Sequence, residues 1–205
     1  TKPLIFDADN GGRIEHLPYL IKSLDRAGVS GVVFEDKVGL KKNSLFKNQS
    51  GVKQDSILKF SNKIKKAKKA KISNELLIIA RIESIILGKG VNDALKRAEA
   101  YSKAGADAIL IHSNKNTPKE IFEFAKKFRK SKFFKPMVAV PSSYSSVKEK
   151  DLIKSGFKIV IYANHLLRTI YPAMKSTAKL ILKNKRAYEV DKKITSINEI
   201  LTLIK

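Results

Sequence analysis

The sequence predicts an α/β fold in which parallel strands alternate with helices, as in an eight-stranded (β/α)8 barrel of the TIM type. Two observations support this prediction: short apolar runs alternate with amphipathic segments throughout the 205 residues, and the runs are continuously apolar. Continuous apolar runs are typical of strands buried on both faces, and helical crossovers make neighbouring strands parallel. One core of this kind suits the chain length, so we expect a single domain over residues 1–205.

Six apolar runs predict six strands, and each run ends at polar residues. The predicted strands cover residues 4–6, 32–34, 76–80, 108–111, 137–140 and 159–162. Helical spacing of apolar residues predicts helices near 14–27, 57–72, 94–104, 117–128, 147–154, 166–183 and 196–204. At the start of the fourth helix, Thr117, Pro118 and Glu120 form the pattern of a capping box.

Two architectures fit six alternating units, namely an open doubly wound sheet and a barrel. A complete barrel has eight strand-helix units and typically needs about 250 residues, so six units in a shorter chain fit most of a barrel. The doubly wound alternative is weakened because no Gly-rich dinucleotide-binding pattern follows the first predicted strand. The chain begins with Thr1 and soon enters an apolar run. We therefore expect that about six of the eight units are present and that the first two strands lie outside this chain.

The net charge of +23 raises the question of nucleic-acid binding, because a concentrated basic face attracts phosphate backbones. Most of the 42 basic residues are lysines, however, and they are scattered along predicted helices. The densest run, 63–71, interleaves with Ile64 and Ala67 at helical spacing, which is typical of a solvated helix face. The sequence shows no interleaving of aromatic and basic residues and no recognised nucleic-acid-binding motif, so we expect no nucleic-acid partner.

The residue content excludes several kinds of chemistry. The chain contains no cysteine, which excludes disulfides, thiolate metal ligands and thiol nucleophiles within these residues. The apolar runs are far shorter than the roughly 20 residues needed to cross a bilayer, and no basic-then-apolar leader opens the chain. No serine lies in a Gly-x-Ser-x-Gly pattern. We expect a cytoplasmic protein with no membrane partner.

Polar residues follow the predicted strands at their carboxyl ends, which a barrel gathers on one face. They are Asp7, Asp9, Glu35, Arg81, Glu83, His112, Ser113 and Asn164. Several carboxylates without Cys and with little His favour a hard cation, Mg²⁺ or else Mn²⁺. Arg81 offers a planar pair of donors for a carboxylate or phosphate. A metal facing an arginine implies an anionic, oxygen-rich substrate.

Each of these residues taken alone also has an ordinary structural interpretation. Asp-x-Asp occurs in turns and in metal-dependent glycosyltransferases, and a strand-end Glu, Arg or His is often an ion-pair partner. The repetition at successive strand ends is what favours an active site. After the second strand, residues 36–56 are polar and lack apolar periodicity, which is typical of a mobile active-site cover. We call residues 36–56 the lid.

Short motifs recur in order along the chain. They are FDADNGG at 6–12, EDK at 35–37 with KKNSL at 41–45, IARIE at 79–83, AGADAI at 104–109 leading to HS at 112–113, and YANH at 162–165. Together they resemble the phosphoenolpyruvate mutase family of the isocitrate lyase superfamily. The resemblance covers essentially the whole chain. It also implies that the first barrel strands of that family, with a catalytic aspartate, are absent from these residues.

The resemblance implies a role for each matching residue. The implied catalytic residues are Asn43, Arg81 and His112; the metal ligands are Asp7, Asp9 and Glu35; and the substrate-binding residues are Lys41, Asn43, Ser44, Arg81, His112 and Ser113. Asp7 would lie closest to Mg²⁺, with Asp9 and Glu35 holding the waters of the metal. Arg81 would grip phosphoryl or carboxylate oxygens, and Asn43 would close over the phosphoryl group.

The implied reaction is a Mg²⁺-dependent intramolecular phosphoryl transfer that interconverts phosphoenolpyruvate and phosphonopyruvate in phosphonate biosynthesis. Phosphonopyruvate hydrolase is the near alternative, since it resembles the mutases except at the lid, where the mutase-type asparagine is replaced. Asn43 favours the mutase. The carbon-carbon lyases of the superfamily carry a Lys-Lys/Arg-Cys-Gly-His lid, whereas residues 41–45 read Lys-Lys-Asn-Ser-Leu.

Two interpretations from other classes remain, a basic nucleic-acid-binding protein and a non-catalytic barrel fragment. The family resemblance further implies a homo-oligomer, a dimer or tetramer that exchanges its C-terminal helices, residues 166–205. An apolar helix at 166–182 would suit such an exchange, and it would equally suit an ordinary helix that covers the barrel.

Overall fold

The computed structural model describes residues 2–39, 42–46 and 48–203. The chain forms two compact units, Thr1–Tyr162 and Ala163–Lys205, and each is described by itself. Lys41, one of the expected substrate contacts, lies outside the described residues.

The described residues contain eight strands and eight helices. The strands are β1 (Ile5–Asp7), β2 (Gly31–Glu35), β3 (Lys37–Val38), β4 (Lys53–Gln54), β5 (Leu77–Ile82), β6 (Ala108–Ile111), β7 (Met137–Ala139) and β8 (Phe157–Val160). The helices are α1 (Leu17–Arg26), α2 (Ile57–Ala70), α3 (Gly90–Lys103), α4 (Lys119–Phe128), α5 (Glu149–Lys154), α6 (His165–Asn184), α7 (Tyr188–Asp191) and α8 (Ile197–Thr202).

Six of these strands form one parallel sheet in the order β1-β2-β5-β6-β7-β8. The series never reverses direction along the sheet. Because βαβ crossovers are right-handed, such an order puts the intervening helices on one face, and the sheet curls. This is the order of a partial TIM-type barrel, whereas a doubly wound sheet reverses at a switch point. The α/β prediction with six parallel strands is confirmed, and closure into eight strands stays a prediction.

The hydrophobic core of the first unit fills the space between the sheet and its helices. Alternate residues of β2, β5, β6 and β7 contribute to it, such as Val32 and Phe34 of β2. Phe60 of α2 lies between two other buried rings, 5.4 Å from Phe34 and 4.7 Å from Tyr101 of α3 between ring centres. Val33, between Val32 and Phe34, is buried outside this cluster. By strand alternation it faces the inner side of the sheet, opposite the helices.

The last strand of the sheet differs from its prediction. β8 begins directly after Gly156 and ends at Val160, two residues earlier at each end than the apolar run 159–162. Its pairing with β7 contains an irregularity between Met137 and Val138. An apolar run by itself does not encode such a shift, and Lys158 interrupts the apolar character where the strand begins.

The start of α4 differs as well. The helix begins at Lys119 and Pro118 occupies the cap position, while the Thr117 hydroxyl accepts from the backbone N–H of Lys119 at 3.4 Å. The Glu120 carboxylate pairs instead with the Lys115 ammonium at 2.7 Å. The predicted capping box is therefore wrong, because a cation from the preceding loop takes the carboxylate that the box would use.

The second unit consists of α6, α7 and α8. Helix α6 is 20 residues long, and Pro172 lies inside it. None of its described side chains is buried, and Leu166 is 80% exposed. The described part of the chain has no helix that combines the length and the apolar character needed to span a membrane.

We expect Phe60→Ala to lower the free energy of unfolding by about 3–5 kcal/mol, because it deletes a buried ring and leaves a cavity. Urea unfolding followed by circular dichroism measures the change. Leu58→Ala is the matched control, since Leu58 is on the same helix and is 71% exposed. The control should change the unfolding free energy by less than about 0.5 kcal/mol. Equal effects of the two substitutions would contradict this packing.

Candidate active site

The pleat of the sheet directs the strand-end polar residues to its inner face. Side chains of a strand alternate between faces, so Glu35 lies on the same face as Val33. Glu35 pairs in register with Arg81 of β5, and Asp7 of β1 pairs with Val33. By the same alternation His112, which follows β6, belongs to this face. Polar groups at the ends of four strands thus meet at the carboxyl edge of the sheet, where barrels form their active sites.

Arg81 is held by two carboxylates. Its Nε donates to Glu83 Oε1 at 2.6 Å, and its Nη2 lies 3.3 Å from Glu35 Oε2. The side chain is 14% exposed. Burial lowers the pKa of Arg81, but the charges of Glu83 and Glu35, with a smaller contribution from Asp7, outweigh burial and raise the pKa above its ordinary value. The guanidinium is therefore charged and fixed in direction.

Lys37 is buried beside the same two carboxylates. Its ammonium lies 3.2 Å from Glu35 Oε1 and 3.3 Å from Glu83 Oε2, and the side chain is 4% exposed. Burial raises the pKa of Glu83, but the charges of Arg81 and Lys37 outweigh burial and lower the pKa well below its ordinary value. Glu83 is thus an ionised carboxylate shared by several partners. We call Glu35, Lys37, Arg81, Glu83 and His112 the strand-end cluster.

His112 completes the strand-end cluster in its neutral form. Its Nδ1 lies 2.8 Å from Arg81 Nη2 and 3.5 Å from Glu83 Oε1. An arginine nitrogen can only donate, so the shorter contact requires the lone pair of Nδ1, and the proton of the neutral ring then resides on Nε2. Burial lowers the pKa of His112, Glu83 opposes this shift, and Arg81 adds to it. His112 can therefore donate one hydrogen bond from Nε2 to an anionic group.

Ser44 connects the lid to the strand-end cluster. Its hydroxyl donates to Glu83 Oε2 at 2.6 Å and accepts from Lys37 Nζ at 2.7 Å and Arg81 Nη2 at 2.9 Å. The side chain is buried. One lid residue is therefore bonded to three members of the cluster, and the lid covers the inner face of the sheet at this point.

The base of the lid is a short antiparallel ribbon of β3 and β4, in which Lys37 pairs with Gln54 and Val38 with Lys53. Sequence patterning did not predict the ribbon, because each strand has two residues. Beyond the ribbon, Asn43 is exposed, and its Oδ1 accepts from the backbone N–H of Leu45 at 2.9 Å. Asn43 thus shapes a turn at the tip of the lid. We call residues 42–46 the lid tip.

A second buried charge cluster lies on the helix side of the sheet. Asp36 is fully buried, and its Oδ2 accepts from Tyr101 Oη at 2.7 Å, Gln54 Nε2 at 2.9 Å and Arg97 Nη1 at 3.1 Å. Its Oδ1 accepts from the backbone N–H of Glu83 at 3.0 Å. Asp36 therefore joins α3, the base of the lid and the end of β5.

Asp7 and Asp9, two of the expected metal ligands, lie at the end of β1. Asp9 has a left-handed backbone with φ 52°, a conformation that Asp tolerates better than most residues. Its backbone N–H donates to Asp7 Oδ1 at 3.0 Å, and its carbonyl accepts from the backbone N–H of Glu35 at 2.7 Å. Over residues 2–39, 42–46 and 48–203, no three His, Cys, Asp or Glu side chains are grouped so that they could hold a metal ion. The ligand set stays a prediction.

The donor chemistry of these residues nevertheless fits a hard divalent cation. Burial raises the pKa of Glu35, and although Arg81 and Lys37 oppose this shift, the pKa remains above its ordinary value. A further cation nearby would favour the ionised carboxylate. Mg²⁺ prefers carboxylate oxygens, keeps several waters and takes few direct protein ligands. The carboxylates present therefore suit Mg²⁺.

Direct contacts join the expected residues Glu35, Ser44, Arg81 and His112. For Ser113, which is buried, the described hydrogen bond is local, since its Oγ accepts from the backbone N–H of Lys115 at 3.2 Å. Asn43 likewise bonds within the lid. Asn164 belongs to the second unit, where it precedes α6 with φ 67°.

Four buried residues that build this region were not predicted. They are Asp36, Lys37, Arg97 and Tyr101. Two signals could have found them. The Glu-Asp-Lys triplet directly follows a continuous apolar strand, which forces its charges to be buried or paired. Arg97 has the helical spacing of the apolar face of α3, where a lone charge needs a buried partner.

The chain matches known proteins over almost its whole length. A family model described as phosphoenolpyruvate phosphomutase matches residues 1–182. The phosphoenolpyruvate phosphomutase of Tetrahymena pyriformis is 36% identical over 202 residues, which cover 98% of this chain and 66% of that protein. The chain thus spans about two thirds of the length of this relative.

Two solved structures share the fold. The crystal structure of phosphoenolpyruvate phosphomutase from Streptomyces platensis subsp. rosaceus gives a TM-score of 0.92 at 32% identity, covering 99% of this chain and 69% of that chain. A crystal structure of phosphonopyruvate hydrolase in complex with oxalate and Mg²⁺ gives a TM-score of 0.86 at 36% identity, covering 98% of this chain and 68% of that chain. With the matching family model, these similarities show that the chain belongs to the phosphoenolpyruvate phosphomutase family of the isocitrate lyase superfamily.

Proposed function

We propose that the protein is a Mg²⁺-dependent phosphoenolpyruvate mutase, which interconverts phosphoenolpyruvate and phosphonopyruvate by moving a phosphoryl group between oxygen and carbon. The observation that carries this proposal is the bonding of lid residue Ser44 to both Arg81 and Glu83. This bonding attaches the lid, next to Asn43 in the chain, to the buried strand-end cluster and helps to shield that cluster from water. An intramolecular transfer needs such a site, because water would otherwise intercept the phosphoryl group.

Arg81 and His112 are the residues that would bind the transferring group. Both present N–H donors in fixed directions, one from a charged guanidinium and one from the Nε2 of a neutral ring. Phosphoryl transfer passes through a loose transition state that spreads negative charge over three oxygens, so fixed donors stabilise it without a strong nucleophile. Asn43 would close over the same group from the lid. Lys41 and Ser113 remain proposed as further substrate contacts.

Asp7 would bind Mg²⁺ directly, and Asp9 and Glu35 would hold its waters. When bound, Mg²⁺ stabilises the negative charge that develops on the enolate oxygen. The carboxylate donor set and the raised pKa of Glu35 support this proposal, as does the Mg²⁺ named in the structure of the related hydrolase. Mn²⁺ is the alternative metal.

Phosphonopyruvate hydrolase is the second candidate function. The solved hydrolase and the Tetrahymena mutase are both 36% identical to this chain. The two reactions differ in whether water reaches the phosphoryl group, and the lid asparagine Asn43 favours the mutase. The carbon-carbon lyases of the superfamily are disfavoured, because the chain contains no cysteine for the acid-base role in their lid. A role in phosphonate biosynthesis in the cytoplasm follows from the mutase proposal.

A phosphorus NMR assay of the full-length protein with phosphonopyruvate and Mg²⁺ tests the function. We expect phosphoenolpyruvate to appear, because the lid excludes water while the phosphoryl group moves. Pyruvate with free phosphate would assign the hydrolase instead. No reaction in the presence of Mg²⁺ would exclude both enzymes.

Removal of the metal with EDTA should abolish this conversion, and added Mg²⁺ should restore it. Asp7→Ala should lose the Mg²⁺-dependent rate while retaining the wild-type unfolding midpoint, since Asp7 is exposed at the end of β1. A rate unchanged by this substitution would overturn the role of Asp7.

We expect turnover to decrease in acid with a midpoint below the ordinary histidine pKa, about 6.5. Burial lowers the pKa of His112, so the neutral ring predominates at neutral pH and is lost only as the pH falls through the lowered value. The free energy of unfolding should also decrease in acid, because the unfolded chain binds this proton at higher pH than the folded one. A profile of rate between about pH 5 and 8 measures the effect. His112→Asn should shift this acidic limb away from the wild-type midpoint, and an unchanged midpoint in the variant would contradict the assignment.

We also propose that the protein is a homo-oligomer, a dimer or tetramer in which α6 supplies the contact. Four large apolar side chains near the start of α6 are at least half exposed in the single chain; they are Leu166, Leu167, Ile170 and Tyr171. Light scattering of the full-length protein should give a multiple of the monomer mass. A monomer mass at micromolar concentration would contradict this assembly.

A further inference from the structure

We propose that Lys37 is the positioning residue that fixes the lid tip over the strand-end cluster, a role that rests on the proposed mutase function. Lys37 acts through Asn43, the lid residue that would close over the phosphoryl group.

The Lys37 ammonium is bonded from two sides. On the lid side, it donates to the backbone carbonyl of Lys42 at 2.9 Å and to Ser44 Oγ at 2.7 Å. On the sheet side, it lies 3.2 Å from Glu35 Oε1 and 3.3 Å from Glu83 Oε2. One buried cation therefore connects the lid tip to two carboxylates at the ends of β2 and β5.

The two lid-side bonds flank a single residue. Lys42 and Ser44 are the chain neighbours of Asn43. Lys37 therefore bonds the backbone of Lys42 on one side of Asn43 and the side chain of Ser44 on the other. The Asn43 amide oxygen in turn accepts from the backbone N–H of Leu45. These bonds together determine where the Asn43 amide lies relative to Arg81 and His112.

Lys37 is suited to this role because its own backbone is anchored. It lies on β3 and pairs with Gln54 of β4, and Gln54 donates to the buried Asp36. The ammonium thus extends from a fixed base toward the lid tip. Withdrawal of the tip would remove two of its acceptors and expose it to water, so lid closure and the burial of this charge depend on each other.

The test compares Lys37→Met, which keeps the side-chain length without the charge, with Lys53→Met. Lys53 is the matched control, since it lies on the adjacent strand β4 of the same ribbon and is exposed. In the phosphorus NMR assay, Lys37→Met should lower turnover and raise the fraction of phosphonopyruvate that ends as pyruvate and phosphate by at least about tenfold, since loss of even one charged hydrogen bond accounts for about that factor. Lys53→Met should retain the wild-type rate and partition.

A second measurement does not depend on turnover. Hydrogen exchange followed by mass spectrometry should show amides of residues 42–46 exchanging about tenfold faster in Lys37→Met, with β5 and β6 unchanged. If neither the mutase nor the hydrolase product forms in the wild type, the proposed function fails while this exchange result still tests the contact between Lys37 and the lid tip. Wild-type partition or wild-type exchange in Lys37→Met would overturn the proposal.

Ser44→Ala covers the case in which Lys37→Met does not fold. It removes one lid-side acceptor and leaves the ammonium beside Glu35 and Glu83. We expect the same faster exchange of the lid tip and the same shift in partition, and wild-type exchange in Ser44→Ala would overturn the proposal. Where Lys37→Met folds, the double variant should show less than the sum of the two effects. Additive effects would mean that Lys37 and Ser44 act independently, which would overturn the proposal.

Discussion

The pairing of buried charges at the ends of β2 and β5 is the constraint on which this site depends. Three carboxylates and three cations are buried or nearly buried there; they are Glu35, Asp36, Glu83, Lys37, Arg81 and Arg97. A buried charge persists only where a partner offsets its desolvation, so each of these residues requires the others. The parallel sheet supplies the geometry, because its pleat sends Glu35 and Arg81 inward and Asp36 toward the helices.

The buried charges on the two faces of the parallel sheet therefore have different roles. On the helix side, Asp36 ties α3 and the lid base to the backbone of Glu83, which determines where the carboxylate of Glu83 can lie. On the inner side, Glu83 orients Arg81 while also bonding Ser44. The donors proposed to meet a phosphoryl group are therefore fixed before any ligand arrives, which is what electrostatic stabilisation of a loose transition state requires.

The sequence was sufficient for the six strands of the parallel sheet and for the edge at which the polar groups meet, because continuous apolar runs and helical spacing report burial locally. It also predicted that Arg81 and His112 lie at that edge, because each follows an apolar run, while their catalytic roles stay predictions. It did not predict the bonds of Lys37 and Ser44, since those contacts join separate segments through side-chain geometry that no periodicity encodes. The shift of β8 and the failed capping box at Glu120 have the same origin, a tertiary partner that outweighs a local preference.

In the described part of the chain, the lid tip is bonded to these paired charges mainly through Lys37 and Ser44. A substitution elsewhere in residues 42–46 can change what covers the reacting group while the charge pairs beneath remain intact. On the proposed function, a residue such as Asn43 would affect the chemical outcome without taking part in these charge pairs. A family built in this way can diverge in reaction through a handful of changes, so relatives named for different activities can remain equally similar to one chain, as two are here at 36% identity.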